Sequence, residues 1–122
     1  MKKLTIHRIA VASKGYNGLK DTVSDNFGKA PTFTIVDVEN EKIKNIQTMI
    51  NPASNYEHGS GPIASRKLAE LNVNLVIASQ LGPGALEILK YHNISSKLAS
   101  SNSPVEECIK GAIIETAFRD SQ

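Results

Sequence analysis

Three short stretches hold the residue types from which chemistry could be built. The first is VSDNFGKAP, residues 23–31, in which the turn-formers Asp25, Asn26, Gly28 and Pro31 surround an aromatic residue, Phe27. The second is His58-Gly59-Ser60-Gly61-Pro62 and the third Leu81-Gly82-Pro83-Gly84. The latter two lie just ahead of segments with helical period. A helix start offers unpaired N–H groups and the positive end of the helix dipole, which suit an anionic guest. Glycines there let a bulky guest approach the backbone, and His58 adds an imidazole, a common metal ligand at neutral pH. A plainer reading stands beside this one: the glycines form tight turns, the prolines open helices, and His58 is a solvated loop residue.

Other reactive residue types in the chain point away from catalysis. Asp21, Ser24 and Asp25 suit local turn hydrogen bonds of the Asx and Ser kind. Phe27 either plugs its loop onto the core or lines a cleft. His7 falls at the entry of the first strand and His92 near the end of the second helix, where a cation complements the dipole. Cys108 lies on an apolar helical stripe, a setting in which a thiol is inert. No serine has the Gly-x-Ser-x-Gly setting of a hydrolase nucleophile.

With 122 residues and 40% hydrophobic content, the chain is expected to form one domain, 1–122, with a core that needs no metal or cross-link. A net charge of +2 with 21% charged residues and no block of like charge does not point to nucleic acid. The single cysteine excludes an internal disulfide framework and fits a reducing cytoplasm. The N-terminal MKKLTIHRIAVAS starts with two lysines, but His7 and Arg8 break its apolar part. It reads as the first strand rather than a signal peptide, and no segment suits a membrane span.

The elements that must position the three stretches follow from period and punctuation. Ile9-Ala10-Val11-Ala12 is an unbroken apolar run, expected in a central strand covered on both faces. Residues 32–38 and 43–50 form a hairpin around Glu39-Asn40-Glu41, where Asn tolerates positive φ. Ala64, Leu68 and Leu71 mark one stripe of a helix that begins near Pro62 and stops near Asn72. Residues 73–79 read as another buried strand. The next helix begins near Pro83, with Ala85, Leu86 and Leu89 inward. Residues 94–99 read as a short strand. Ser103-Pro104-Val105-Glu106 has the form of a capping box, opening a last helix with Val105, Cys108, Ile109, Ala112, Ile113 and Thr116 toward the core.

This order predicts an α/β fold with three helices and a five-stranded mixed sheet, order 3-2-1-4-5, in which only strand 2 is antiparallel. The connections leaving strands 1, 3 and 4 (13–31, 51–61 and 79–84) then emerge from one end of the sheet, where ligands of open α/β sheets bind. The first connection, at about twenty residues, far exceeds the usual ~4–6.

The stretches VASKGYNGLKDTVSDNFGKAPTFTIVDVE, NPASNYEHGSGPIASRKLAE and VIASQLGPGALEILK together resemble the dinitrogenase iron–molybdenum cofactor biosynthesis family, which includes NifX-like carriers and the C-terminal part of NifB-like proteins. The similarity runs from about residue 9 to 113, in three separated motifs in order. It implies a ribonuclease H-like fold and the handling of iron–sulfur or iron–molybdenum clusters, with cluster-assembly or cluster-accepting proteins as partners. With the glycine-rich loops read above, the expected binding set is Ser13, Asn26, Phe27, Gly28, His58, Gly59, Gly61, Gly82 and Gly84. The family motif frequently has His where this chain has Asn26, and an amide is a poor ligand for a soft metal. His58, in the HGSGP motif, is therefore the expected metal ligand.

Assembling a common iron–sulfur cluster takes about four Cys ligands, and this chain has one. A preassembled cluster, already satisfied by its own sulfides, needs only one or two protein ligands and N–H donors. The expected activity is thus non-enzymatic binding or carriage. The alternative is a metal-free anion-binding or protein-interaction module using the same helix starts. A nuclease would need acidic residues on the core strands to hold two metals, and the run 9–12 has none.

Overall fold

The computed structural model describes residues 6–120. Residues 1–5, which belong to the expected first strand, and residues 121–122 lie outside the described residues.

β1 (Ile6–Ser13) is the central strand. Its run Ile9, Ala10, Val11 and Ala12 is at most 3% exposed. Alternate residues feed two separate cores: Ala10 and Ala12 join one, Ile9 and Val11 the other. This two-sided burial is what a continuous apolar run in a strand allows.

β2 (Thr32–Glu39) and β3 (Lys42–Ile50) form the expected hairpin. Asn40 and Glu41 connect them with φ of +52° and +67°, the left-handed pair whose twist suits a two-residue hairpin turn. The register runs from Thr32 opposite Ile50 to Glu39 opposite Lys42, with a bulge between Asp37 and Val38.

α1 (Ser60–Glu70) buries Ala64, Ser65 and Leu68. It stops at Asn72, φ +61°, where the Val73 amide donates back to the Leu68 carbonyl at 3.1 Å, as in a Schellman ending. Because Val73 is used in this way, β4 (Leu75–Ala78) is shorter than the expected 73–79. α2 (Pro83–Tyr91) buries Ala85 and Leu89. Leu86, expected inward, lies one position around the helix from that stripe and is only half-buried. β5 (Ser95–Leu98) and α3 (Val105–Asp120) complete the chain.

The strands lie in the order β3-β2-β1-β4-β5. β1 pairs antiparallel with β2 and parallel with β4, and β4 pairs parallel with β5, so β2 alone runs against the others. α1 and α2 pack through Ala64, Leu68, Ala85 and Leu89 on one face of the sheet. α3 packs through Val105, Ile109 and Ala112 on the other, beside Leu19 of a 3-10 turn, Gly18–Lys20.

The start of α3 departs from expectation. In place of a capping box between Ser103 and Glu106, the Val105 amide donates to the Asp21 carbonyl at 2.9 Å, and the Ser103 carbonyl accepts from Val23 at 2.9 Å. The long first loop thus supplies the cap, which straps it to the sheet. Among the described residues no helix is long and apolar enough to cross a membrane.

Candidate functional site

β1, β3 and β4 run in one direction, so the connections that follow them rise from the same end of the sheet. Long-range side-chain bonds to the backbone tie these connections together. Asn51, 1% exposed, donates from Nδ2 to the carbonyls of Gly28 (2.9 Å) and Ala30 (3.0 Å) and accepts at Oδ1 from the Ala53 amide (2.9 Å). Ser79 Oγ donates to the carbonyls of Ser24 and Asp25 at 2.9 and 3.0 Å, and Gln80 Nε2 to that of Asp25 at 2.9 Å. Asp25 itself reaches Ser101 through its carboxylate. Within the first loop, Asp21 accepts from the amides of Lys14, Asn17 and Thr22, the turn role its residue type suggests.

Between the tied loops lies a cavity of about 360 Å³. The first connection contributes Asn26, Phe27, Gly28 and Lys29 to its wall. Residues 59–62 come from the second connection and the start of α1, and Gln80, Gly82, Gly84 and Ala85 from the third and the start of α2. Neither helix has a side-chain cap or an acidic residue in its first turn. The amides of Ser60, Gly61, Gly84 and Ala85 therefore lack intrahelical acceptors. Among the described residues the single charge on the wall is the Lys29 ammonium, and no Asp, Glu, His or Cys lines it. A wall of this kind favours negative charge on a guest and supplies hydrogen-bond donors rather than metal ligands.

Two glycines are demanded by this geometry. A Cβ on Gly28 would lie 2.5 Å from both the Gly61 amide nitrogen and Ser60 Oγ, so only glycine lets the first loop meet the start of α1. Gly59 has φ +74°, a conformation that side chains strain.

Of the residues expected to bind, Asn26, Phe27, Gly28, Gly59, Gly61, Gly82 and Gly84 line the cavity. Phe27 plugs the loop onto the core: it is 3% exposed and its ring lies 5.4 Å from that of Phe33, tilted by 56°. Ser13 is corrected. It is fully buried, with its hydroxyl paired to those of Thr32 (2.7 Å) and Thr34 (2.8 Å), because the β1–β2 ladder extends one rung further than the apolar run suggests. His58 is exposed at the rim, one residue before Gly59, and is not part of the cavity wall. Lys29, Asn51, Ser79 and Gln80 were not singled out from sequence. For Asn51, the only signal was its place at the head of NPASN, immediately after a strand.

Elsewhere, Arg8 Nε donates to Asp37 Oδ1 at 2.7 Å and its Nη1 to the Leu71 carbonyl at 2.7 Å. This pair clamps the opposite end of the sheet, and the hydrogen bond to Asp37 raises the Arg8 pKa. Cys108 is half-buried and burial pushes its thiol pKa up, with Lys97 opposing. Among the described residues no group of three or more His, Cys, Asp or Glu is placed to hold a metal ion.

The sequence profile of the family described as dinitrogenase iron-molybdenum cofactor matches residues 6–114. MJ0580, an uncharacterised protein of Methanocaldococcus jannaschii, is 36% identical over 88 residues, covering 72% of this chain and 74% of that protein. The apo form of the orange protein from Desulfovibrio gigas is similar in structure with a TM-score of 0.80 at 24% identity, over 91% of this chain and 90% of that one. At that identity the likeness speaks for the fold alone. A NifB-type protein of Thermotoga, TM1290, has a TM-score of 0.65 at 27% identity, over 93% of this chain and 88% of its own.

Proposed function

This chain belongs to the dinitrogenase iron-molybdenum cofactor family, and we propose that within it the protein is a non-enzymatic carrier of a preassembled iron–sulfur or iron–molybdenum type cluster. The cargo is held at the glycine-rich lip where the connections after β1, β3 and β4 meet. The observation that carries this reading is the cavity wall itself: two uncapped helix starts, one ammonium and no carboxylate. Sulfide-rich clusters are anionic, and their own sulfides satisfy most metal valences. Such a cargo needs N–H donors and close backbone approach more than it needs protein ligands.

In this reading Gly28, Gly59, Gly61, Gly82 and Gly84 form the backbone cradle, Asn26 and Phe27 bound it, and Lys29 balances charge. His58, at the rim, supplies the one imidazole at this end of the sheet and is the proposed metal ligand. Partners are cluster-assembly or cluster-accepting proteins, and the setting is a reducing cytoplasm, consistent with a single cysteine. The whole chain, 1–122, acts as one domain of ribonuclease H-like class without nuclease chemistry, since Asp37 on β2 is engaged by Arg8.

One observation favours a second reading, a metal-free anion-binding or protein-interaction module. Asn26 stands on the wall where the family motif often has His, and among the described residues no His, Cys, Asp or Glu lines the cavity. Anaerobic purification with metal analysis, with and without a cluster donor, separates the two. The carrier should take up the cluster and show charge-transfer absorption, less in His58→Ala and more in Asn26→His. Metal-free protein under every condition refutes the carrier, and uptake unchanged in both variants removes the ligand assignment.

A further inference from the structure

β3 is an outer strand of the sheet, and its two halves are guarded differently. At one end Lys42 and Lys44 are exposed, beside the bulge between Asp37 and Val38. Edge lysines and bulges both hinder the addition of a further strand. Residues 45–50 carry neither charge nor proline. Ile46 and Ile50 there are 39% and 64% exposed.

The direction of the free backbone groups on this half follows from one bond. The Asn51 amide donates to the Pro31 carbonyl at 3.2 Å, which makes 31/51 a hydrogen-bonded pair. Such pairs alternate along an antiparallel ladder. The bonded pairs are then Phe33 with Met49 and Ile35 with Gln47, while Ile50, Thr48 and Ile46 sit at the intervening positions. The N–H and C=O groups of Ile46, Thr48 and Ile50 accordingly point outward from the sheet. Their side chains share one face, the face on which Ile46 lies against Gly18, 3.8 Å from where a Cβ on that glycine would be. Tyr16 on the same loop is 65% exposed.

We infer that β3 pairs antiparallel with β3 of a second copy of this chain, about a twofold axis through Thr48. That register sets Thr48 opposite itself and Ile46 of each copy opposite Ile50 of the other. All three pairs are of the bonded kind, giving about six main-chain hydrogen bonds. It covers four isoleucines that are exposed in the separate chains. Lys44 of each copy falls opposite Pro52 of the other, which has no N–H and ends the ladder. The two Lys44 residues are then eight positions apart along the seam, about 27 Å, beyond the reach of unscreened repulsion. Centring on Ile46 draws the bulge and both lysines of each copy into the ladder, and centring on Ile50 runs the pairing off the strand. Thr48 is the centre that keeps the seam within the uncharged stretch. This self-complementarity selects a second copy over an unrelated extended segment. The seam shares no residue with the cavity wall, so the inference stands apart from the proposed cargo.

Sedimentation velocity from about 5 to 500 µM should show a concentration-dependent dimer, as expected for a small interface. Ile50→Lys should weaken it at least tenfold. Thr48→Pro should do the same without loss of thermal stability, because the Thr48 amide is not used in the β2 ladder. In a Cys108→Ser background, Thr48→Cys places two thiol-bearing residues about 5.5 Å apart at Cα, within disulfide range. Mild oxidation should then give a covalent dimer, whereas Lys44→Cys should not. A monomer at every concentration overturns the inference. So does a dimer indifferent to Ile50→Lys, or equal cross-linking of the two cysteine variants.

Discussion

A single methyl group at Gly28 tests the meeting of the first loop with the start of α1. The added Cβ would lie 2.5 Å from the Gly61 nitrogen, 2.5 Å from Ser60 Oγ and 2.8 Å from the Ser60 carbonyl carbon, where ordinary contact begins at 3.4 Å. The hydroxyl can rotate away, but the backbone atoms cannot, so the two segments must part by roughly 0.9 Å. Overpacking of this kind costs about 1–3 kcal/mol. The parting also pulls the Gly28 carbonyl from Asn51 Nδ2, now 2.9 Å away, and weakening a buried hydrogen bond adds about 1 kcal/mol. The sum, about 2–4 kcal/mol, corresponds to a Tm lowered by about 8–15 °C for a chain of this length. Gly82→Ala is the control: a Cβ there meets nothing within 4 Å and Gly82 has φ −74°, so its effect should stay within about 0.5 kcal/mol. Thermal melts and urea titrations of both variants decide the matter. Equal stability of Gly28→Ala and Gly82→Ala would refute the close approach on which the shape of the cavity depends.

Asn51→Ala strands the carbonyls of Gly28 and Ala30 and the Ala53 amide, and should lower unfolding free energy in urea by about 2–4 kcal/mol; a loss under 1 kcal/mol would mean that the loops hold together without it. Glu41 sits at φ +67°, so Glu41→Gly should stabilise the hairpin by about 0.5 kcal/mol, the left-handed strain relieved outweighing the added chain entropy. No gain in Tm would count against strain at that turn. For Cys108, burial raises the thiol pKa, which lowers the reactive thiolate fraction at any given pH below it. A disulfide reagent at pH 8 should therefore modify native protein more slowly than urea-unfolded protein, with the native rate still climbing at higher pH, and equal rates would contradict the burial.

What could be read from the amino-acid order was mostly what local chemistry dictates. The run 9–12 announced a strand covered on both faces. Asn40 marked the hairpin turn and Asn72 the end of α1, because asparagine tolerates left-handed backbone. Strand directions followed from the strand–helix–strand crossovers, and the order from setting the first strand beside the fourth. The misses share one cause. Asn51, Ser79 and Gln80 act on backbone groups 21 to 55 positions away, and no period or spacing encodes such a partner. Ser13 was expected in the binding set, yet its hydroxyl is buried against Thr32 and Thr34, which arrive opposite from another strand. The Ser103 cap failed for the same reason, since the acceptor at Asp21 comes from a loop more than eighty positions earlier.

That division bears on how the site should be probed. The cavity wall is largely main chain, with glycine at five of its positions and two helix starts lacking side-chain caps. An anion held there would rest on N–H groups that no side-chain truncation removes. Alanine at Asn26 or Lys29 alters the rim or the charge and leaves those donors in place, whereas alanine at Gly28 moves the donors themselves. A backbone-built site of this kind is legible in sequence as missing side chains rather than as reactive ones. The decisive substitutions are therefore additions of atoms, and their effect on guest uptake should exceed that of any single truncation on the wall.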